Sequence, residues 1–238
     1  MTLIHCDGLP DAPEAYLAET GFFDIAHPVV RRFTDAAVGD AADARTRAVR
    51  LFYAVRDRIR YDPYNITYEP PAYRASAVIE AGYGWCVPKA ALLAACARAA
   101  GIPSAIGLAD VVNHLTTEKL KARMGGVNVF YDHGYTALHL DGRWLKVVPA
   151  FNIELCERFG VRPTEFDGTS DALYQPFDVH DRRHMEYLAD HGTWSDLPLD
   201  KIKSDFAIHY PQSLARAAAR AGHTETDRFE DDARRERE

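Results

Sequence analysis

Cys86 stands directly ahead of an alanine-rich run in GYGWCVPKAALLAACARAAGIPSAIG, residues 82–107, and a thiol so placed can serve as a nucleophile. Pro88 near the first helical position and the stop at Gly101-Ile102-Pro103 predict a helix of about 14 residues with Cys86 at its start. The free N–H groups and positive dipole end there favour thiolate and can hold an oxyanion. The bland alternative is a packed thiol, since free cysteine is among the most buried residue types. Cys96, about 15 Å further along the same helix, cannot share a site with Cys86 and reads as core.

A nucleophilic thiol needs a base, and the chain offers ten histidines. His133 and His139 fall on one face of a predicted strand, but six residues at ~3.3 Å separate them by about 20 Å, so one at most reaches Cys86. His133 opens the strand and His139 lies beside the turn, which favours His133. Asp141-Gly142 predicts a two-residue hairpin turn pairing Leu140 with Arg143. That register sets His133 opposite Ala150, with Val148 and Asn152 as diagonal neighbours. Valine orients nothing, whereas Asn152 can accept a hydrogen bond from the imidazole. Asp167, in the acidic turn EFDG, is the second choice.

The elements that must position these groups follow from periodicity and punctuation. Residues 11–60 carry two helical patterns, one around PEAYLAETGFF and a longer one from Ala41 to Arg60. YDPYNITYEPPAYRASAVIEAG is too broken for one element and reads as a loop closing in a short helix, Ala75 to Ala81. SAIGLADVV predicts a strand, residues 113–126 a connection with some helix capped at Thr116 or Thr117, and residues 128–148 the hairpin. Residues 149–200 show no period and are expected to lie irregularly over the core. HTETDRFEDDARRERE is expected to be solvated. Lys89 is expected to be an ordinary solvated helix lysine, and Tyr83 and Trp85 either line a cleft or plug the helix start.

The organisation is one domain: a helical part at 1–60, a core at 61–152, an extension at 153–215 and a charged tail at 216–238. A net charge of −7 with no basic cluster argues against a nucleic-acid partner. No stretch approaches the ~18 apolar residues of a membrane span, and the amino terminus lacks a signal-like n- and h-region. With four cysteines and no CxxC pair, the expectation is reduced thiols in the cytoplasm. His180, His184 and His191 with Glu186 lack an HExxH pattern, so neither a metal nor another cofactor is expected.

From about Tyr61 to Asn152 the chain resembles the transglutaminase-like superfamily of papain-type cysteine enzymes. The resemblance rests on GYGWCVPKAALLAACARAAGIPSAIG and HGYTALHLDGRWLKVVPAFN, in which a Gly-aromatic-Cys helix ending in Gly-Ile-Pro precedes a His that opens a strand. It implies an α+β fold, with the Cys helix packed on an antiparallel sheet carrying the His. It implies Cys86 as nucleophile, His133 as base, and a thioester route on a small-molecule or peptide amide or ester. Hydrolysis is favoured over amine transfer, because water needs no second site. The superfamily's third residue, an Asp before a Pro, falls on Val148. That departure leaves either a displaced orienting group or a weakened enzyme, and the alternative reading is a non-catalytic binding module that kept the fold. A metal-dependent hydrolase built on the histidines after 180 is a more distant alternative.

Overall fold

In a computed structural model, residues 3–114, 116–173, 185–219 and 228–236 are described. The helices among them are α1 (Pro28–Val38), α2 (Ala44–Arg58), α3 (Ala75–Ala81), α4 (Cys86–Ala99), α5 (Glu118–Arg123), α6 (Ile153–Phe159), α7 (Leu199–His209), α8 (Pro211–Ala219) and α9 (Phe229–Arg235). The strands are β1 (His5–Cys6), β2 (Arg60–Tyr61), β3 (Tyr83–Gly84), β4 (Ser104–Asn113), β5 (Val129–Leu140), β6 (Arg143–Val147) and β7 (Met185–Trp194). Five strands form one antiparallel sheet in the order β1-β7-β4-β5-β6, and β2 pairs in parallel with β3. No helix among the described residues is long and apolar enough to cross a membrane.

At the centre lies α4, with every residue from Cys86 to Arg98 buried. Its apolar residues surround the axis instead of forming one stripe, the pattern of a helix enclosed on all sides. It packs on β5 and β4 and against α1, α2 and α3. This is the α+β arrangement with the Cys helix on the sheet that carries His133.

The hairpin takes the expected register. Asp141 and Gly142 have φ of 49° and 79°, the left-handed pair a type I′ turn requires, and pairing runs from Leu140↔Arg143 to Thr136↔Val147. It stops there: Pro149 cannot donate, and the Val148 N–H turns to the Ala172 carbonyl at 2.9 Å. His133 therefore lies beyond the last β6 pair.

Four expectations need correction. PEAYLAETGFF forms only a 3₁₀ turn at Pro13–Tyr16; its Tyr16 and Phe23 are buried from an irregular segment, and the first long helix is α1, which begins at His27-Pro28. Residues 149–200 hold α6 and β7, and β7 is an interior strand of the sheet. Its run 186–190 faces solvent and its pairing with β4 shifts register twice, so no two-residue alternation marks it. In the charged tail, α9 is anchored by buried Phe229, while Glu230 meets Asn152 at 3.2 Å and Asp232 meets the Tyr64 hydroxyl at 2.8 Å. Lys89 is completely buried, its ammonium donating to the carbonyls of Arg56 (2.9 Å) and Ile59 (2.5 Å) that close α2.

Candidate active site

Cys86 opens α4 after Trp85, and the backbone N–H groups of Gly134, Val87 and Cys86 itself lie toward its thiol. This contact depends on Gly134 having no side chain. A Cβ there would sit 2.8 Å from the Val87 Cα and 3.2 Å from the Cys86 carbonyl oxygen. Strand β5 can thus press against the start of α4 and bring His133 with it.

Both groups line one cleft, with Tyr61, Tyr64, Trp85, Phe206 and Tyr210 among its walls, enclosing about 730 Å³ including its open mouth. Cys86 is 3% and His133 2% exposed. Burial pushes the Cys86 thiol up to about 12, outweighing the N–H groups that stabilise thiolate, and pulls the His133 imidazole down to about 3. The pair rests as thiol and neutral imidazole, contrary to the expectation that the helix start alone would favour thiolate.

Asp132, just before His133, forms a β-bulge: register passes from Ala109↔His133 to Val111↔Phe130, and Asp132 takes φ of 54°. Its carboxylate is buried and bonded to Lys201 of α7 at 2.5 Å, and its N–H donates to Asp110. Burial raises this carboxyl to about 6 despite Lys201. Asp110, Asp132 and His191 bring ligand-type atoms within 4.8 Å of one another. Cationic or donor groups of the protein already face them, with His191 2.9 Å from Asp110 and Lys201 on Asp132. Glu186 faces His114 at 3.9 Å, and His180 and His184 lie outside the described residues.

The orienting candidates are placed elsewhere. Asn152 is buried at the start of α6; its Oδ1 accepts from the Tyr61 N–H at 3.1 Å and its Nδ2 donates to Glu230. With the β5–β6 ladder ended at Val147, the register that aimed it at His133 is not realised. Asp167 is exposed and closes a local turn, accepting from the N–H groups of Thr169 and Ser170 at 2.7 and 3.2 Å. Val148 is buried in the core. Trp85 lines the cleft, whereas Tyr83 lies away from it.

The transglutaminase-like superfamily matches residues 31–149, half of the chain and the part that holds Cys86 and His133. The chain belongs to this superfamily. No curated protein matches it. It is similar to a solved structure described as a cysteine protease candidate from Cytophaga hutchinsonii, at 12% identity and a TM-score of 0.45. That likeness covers 79% of this chain and 57% of the other, so the chain spans a little over half of that protein's length. In this member of the superfamily, Phe206 and Tyr210 of the cleft wall lie beyond the matched segment, and no motif in the sequence singles them out. Tyr61 and Asp132 were equally silent, because a bulge at a non-glycine residue leaves no pattern.

Proposed function

We propose that the protein is a cysteine-dependent acyl-transfer enzyme, with Cys86 as nucleophile and His133 as general base. The observation that carries this reading is that both side chains line one cleft, beside the point where Gly134 lets β5 touch the start of α4. From a neutral pair, the Cys86 proton passes to His133 as the sulfur attacks the carbonyl carbon, and the leaving group later takes that proton. A thioester on Cys86 results. Water then resolves it, making the protein an amidase- or peptidase-like hydrolase; resolution by an amine is the transferase variant of the same chemistry.

The walls limit the acyl group. Trp85, Leu120, Met124, Phe130 and Phe206 favour a largely apolar one beside the Arg123 guanidinium, which lies over the Tyr64 ring at 4.1 Å, and the deep placement of Cys86 admits a slender chain end better than a folded protein surface. Buried Val148 in the superfamily's Asp position favours a second reading, a binding module without chemistry. One experiment separates them. Mixed with 4-nitrophenyl butyrate, the enzyme releases a burst of about one nitrophenolate per chain and carries a butyryl group on the Cys86 peptide, and Cys86→Ala does neither. A burst that survives in Cys86→Ala, or none in the wild type, contradicts the proposal.

A further inference from the structure

Attack on a carbonyl leaves negative charge on its oxygen, and in a cleft this apolar that oxygen needs a hydrogen-bond donor. The start of α4 offers it backbone N–H groups only: Pro88 has none, and those of Gly134, Val87 and Cys86 itself lie toward the Cys86 sulfur, so a side-chain donor in the cleft would add to them.

Of the donors in the cleft, Ser213 faces Tyr68, the Arg123 guanidinium lies over the Tyr64 ring at 4.1 Å, and two tyrosine hydroxyls are committed. Tyr64 donates to Asp232 at 2.8 Å, and Tyr210 donates to the Val129 carbonyl while accepting from the Tyr131 N–H. Tyr131 is only half-buried and stacks on His209. Tyr61 differs from all of these. It is 3% exposed and lines the cleft beside Cys86, yet its hydroxyl has no hydrogen-bond partner among the described residues.

Its position is firmly held. The ring packs edge-on against Phe151 at 4.8 Å and Phe229 at 5.7 Å, and its main-chain N–H is fixed by Asn152. Asn152 thus anchors Tyr61. We propose that the Tyr61 hydroxyl donates a hydrogen bond to the carbonyl oxygen of the substrate, and that this bond strengthens as the oxygen becomes an oxyanion.

The assignment rests on Cys86 being the acyl-accepting nucleophile. As the C–S bond forms, the Cys86 proton goes to His133 and the carbonyl π pair moves onto oxygen, where Tyr61 donates without giving up its proton. Return of that pair re-forms C=O and expels the leaving group, which takes the proton from His133. Burial and the nearby Cys86 raise the Tyr61 pKa well above the usual phenol value, so the hydroxyl stays protonated.

Two reactions of the same thiol test the role. Acylation by 4-nitrophenyl butyrate passes through an oxyanion, whereas alkylation by iodoacetamide displaces iodide and forms none. In Tyr61→Phe, the acylation rate constant should fall about a hundredfold while alkylation of Cys86 stays within about twofold of the wild type. Acylation at the wild-type rate overturns the proposal, as does an equal fall in both reactions, which would mark Tyr61 as a support for the thiol or the fold. A wild-type Cys86 that alkylates but accepts no butyryl group overturns the acyl-transfer reading itself, and the role of Tyr61 with it.

Discussion

Lys89, three residues after the nucleophile candidate, shows how a side chain's setting reverses its expected character. In the sequence it is one charged residue on a helix, and nothing nearby says that α2 will end against it. In the fold it is completely buried, with its ammonium closing the α2 carbonyls of Arg56 and Ile59, and burial lowers its pKa to about 7. Between pH 7 and the ordinary lysine value near 10.4, the unfolded chain holds a proton that the folded one has lost, so this residue's contribution to stability rises with pH through that window. Below pH 7 both states are charged and the burial cost is full. Urea unfolding of the wild type and Lys89→Met from pH 7.5 to 9.5 should therefore show the wild type gaining on the variant, by at most about 1.4 kcal/mol per pH unit. Parallel curves would contradict this. Cys86 was legible from the helix start beside it and His133 from its hairpin, although β5 begins at Val129 and His133 lies inside it, just after the bulge, instead of opening the strand. Their protonation was not, because desolvation depends on the walls that other segments bring.

The pairing of α4 with β5 positions the site, and its tolerance is set by Gly134. A methyl group there would meet the Val87 Cα at 2.8 Å, a backbone atom, with no flexible side chain to yield. Gly134→Ala should therefore separate β5 from the start of α4 and slow acylation of Cys86 at least tenfold, a larger effect than its change in unfolding midpoint would explain by lost folded protein. An alanine variant acylated at the wild-type rate would show that the contact does not set the geometry. Much at this scale could be read in advance: α4 from its proline and glycine boundaries, and the hairpin register from Asp141-Gly142. Strand β7 could not, because its solvent-facing run and register shifts erase the alternation, and α9 is hidden by charges whose partners, Asn152 and Tyr64, are distant in sequence.

Across the whole molecule, the cleft joins parts of the chain that are far apart in sequence. The segment matched to the superfamily supplies Cys86, His133 and Tyr61, while Phe206 and Tyr210 on the far wall come from α7 and the residue after it. The matched segment also supplies Trp85, Leu120, Met124 and Phe130 of the wall, which the carboxy-terminal region completes. The fold class was legible because Cys helix and His hairpin keep their order and spacing; the walls were not, because helices contribute them through tertiary packing alone. The most direct measurement is the single-turnover acylation rate of Cys86 by 4-nitrophenyl butyrate at pH 7.5 in the wild type and in His133→Ala. A general base contributes about 10²–10⁴-fold, so the variant should acylate at least a hundredfold more slowly while its circular dichroism spectrum remains that of the wild type. Acylation of His133→Ala at the wild-type rate would contradict the Cys86–His133 pairing on which the proposed activity stands.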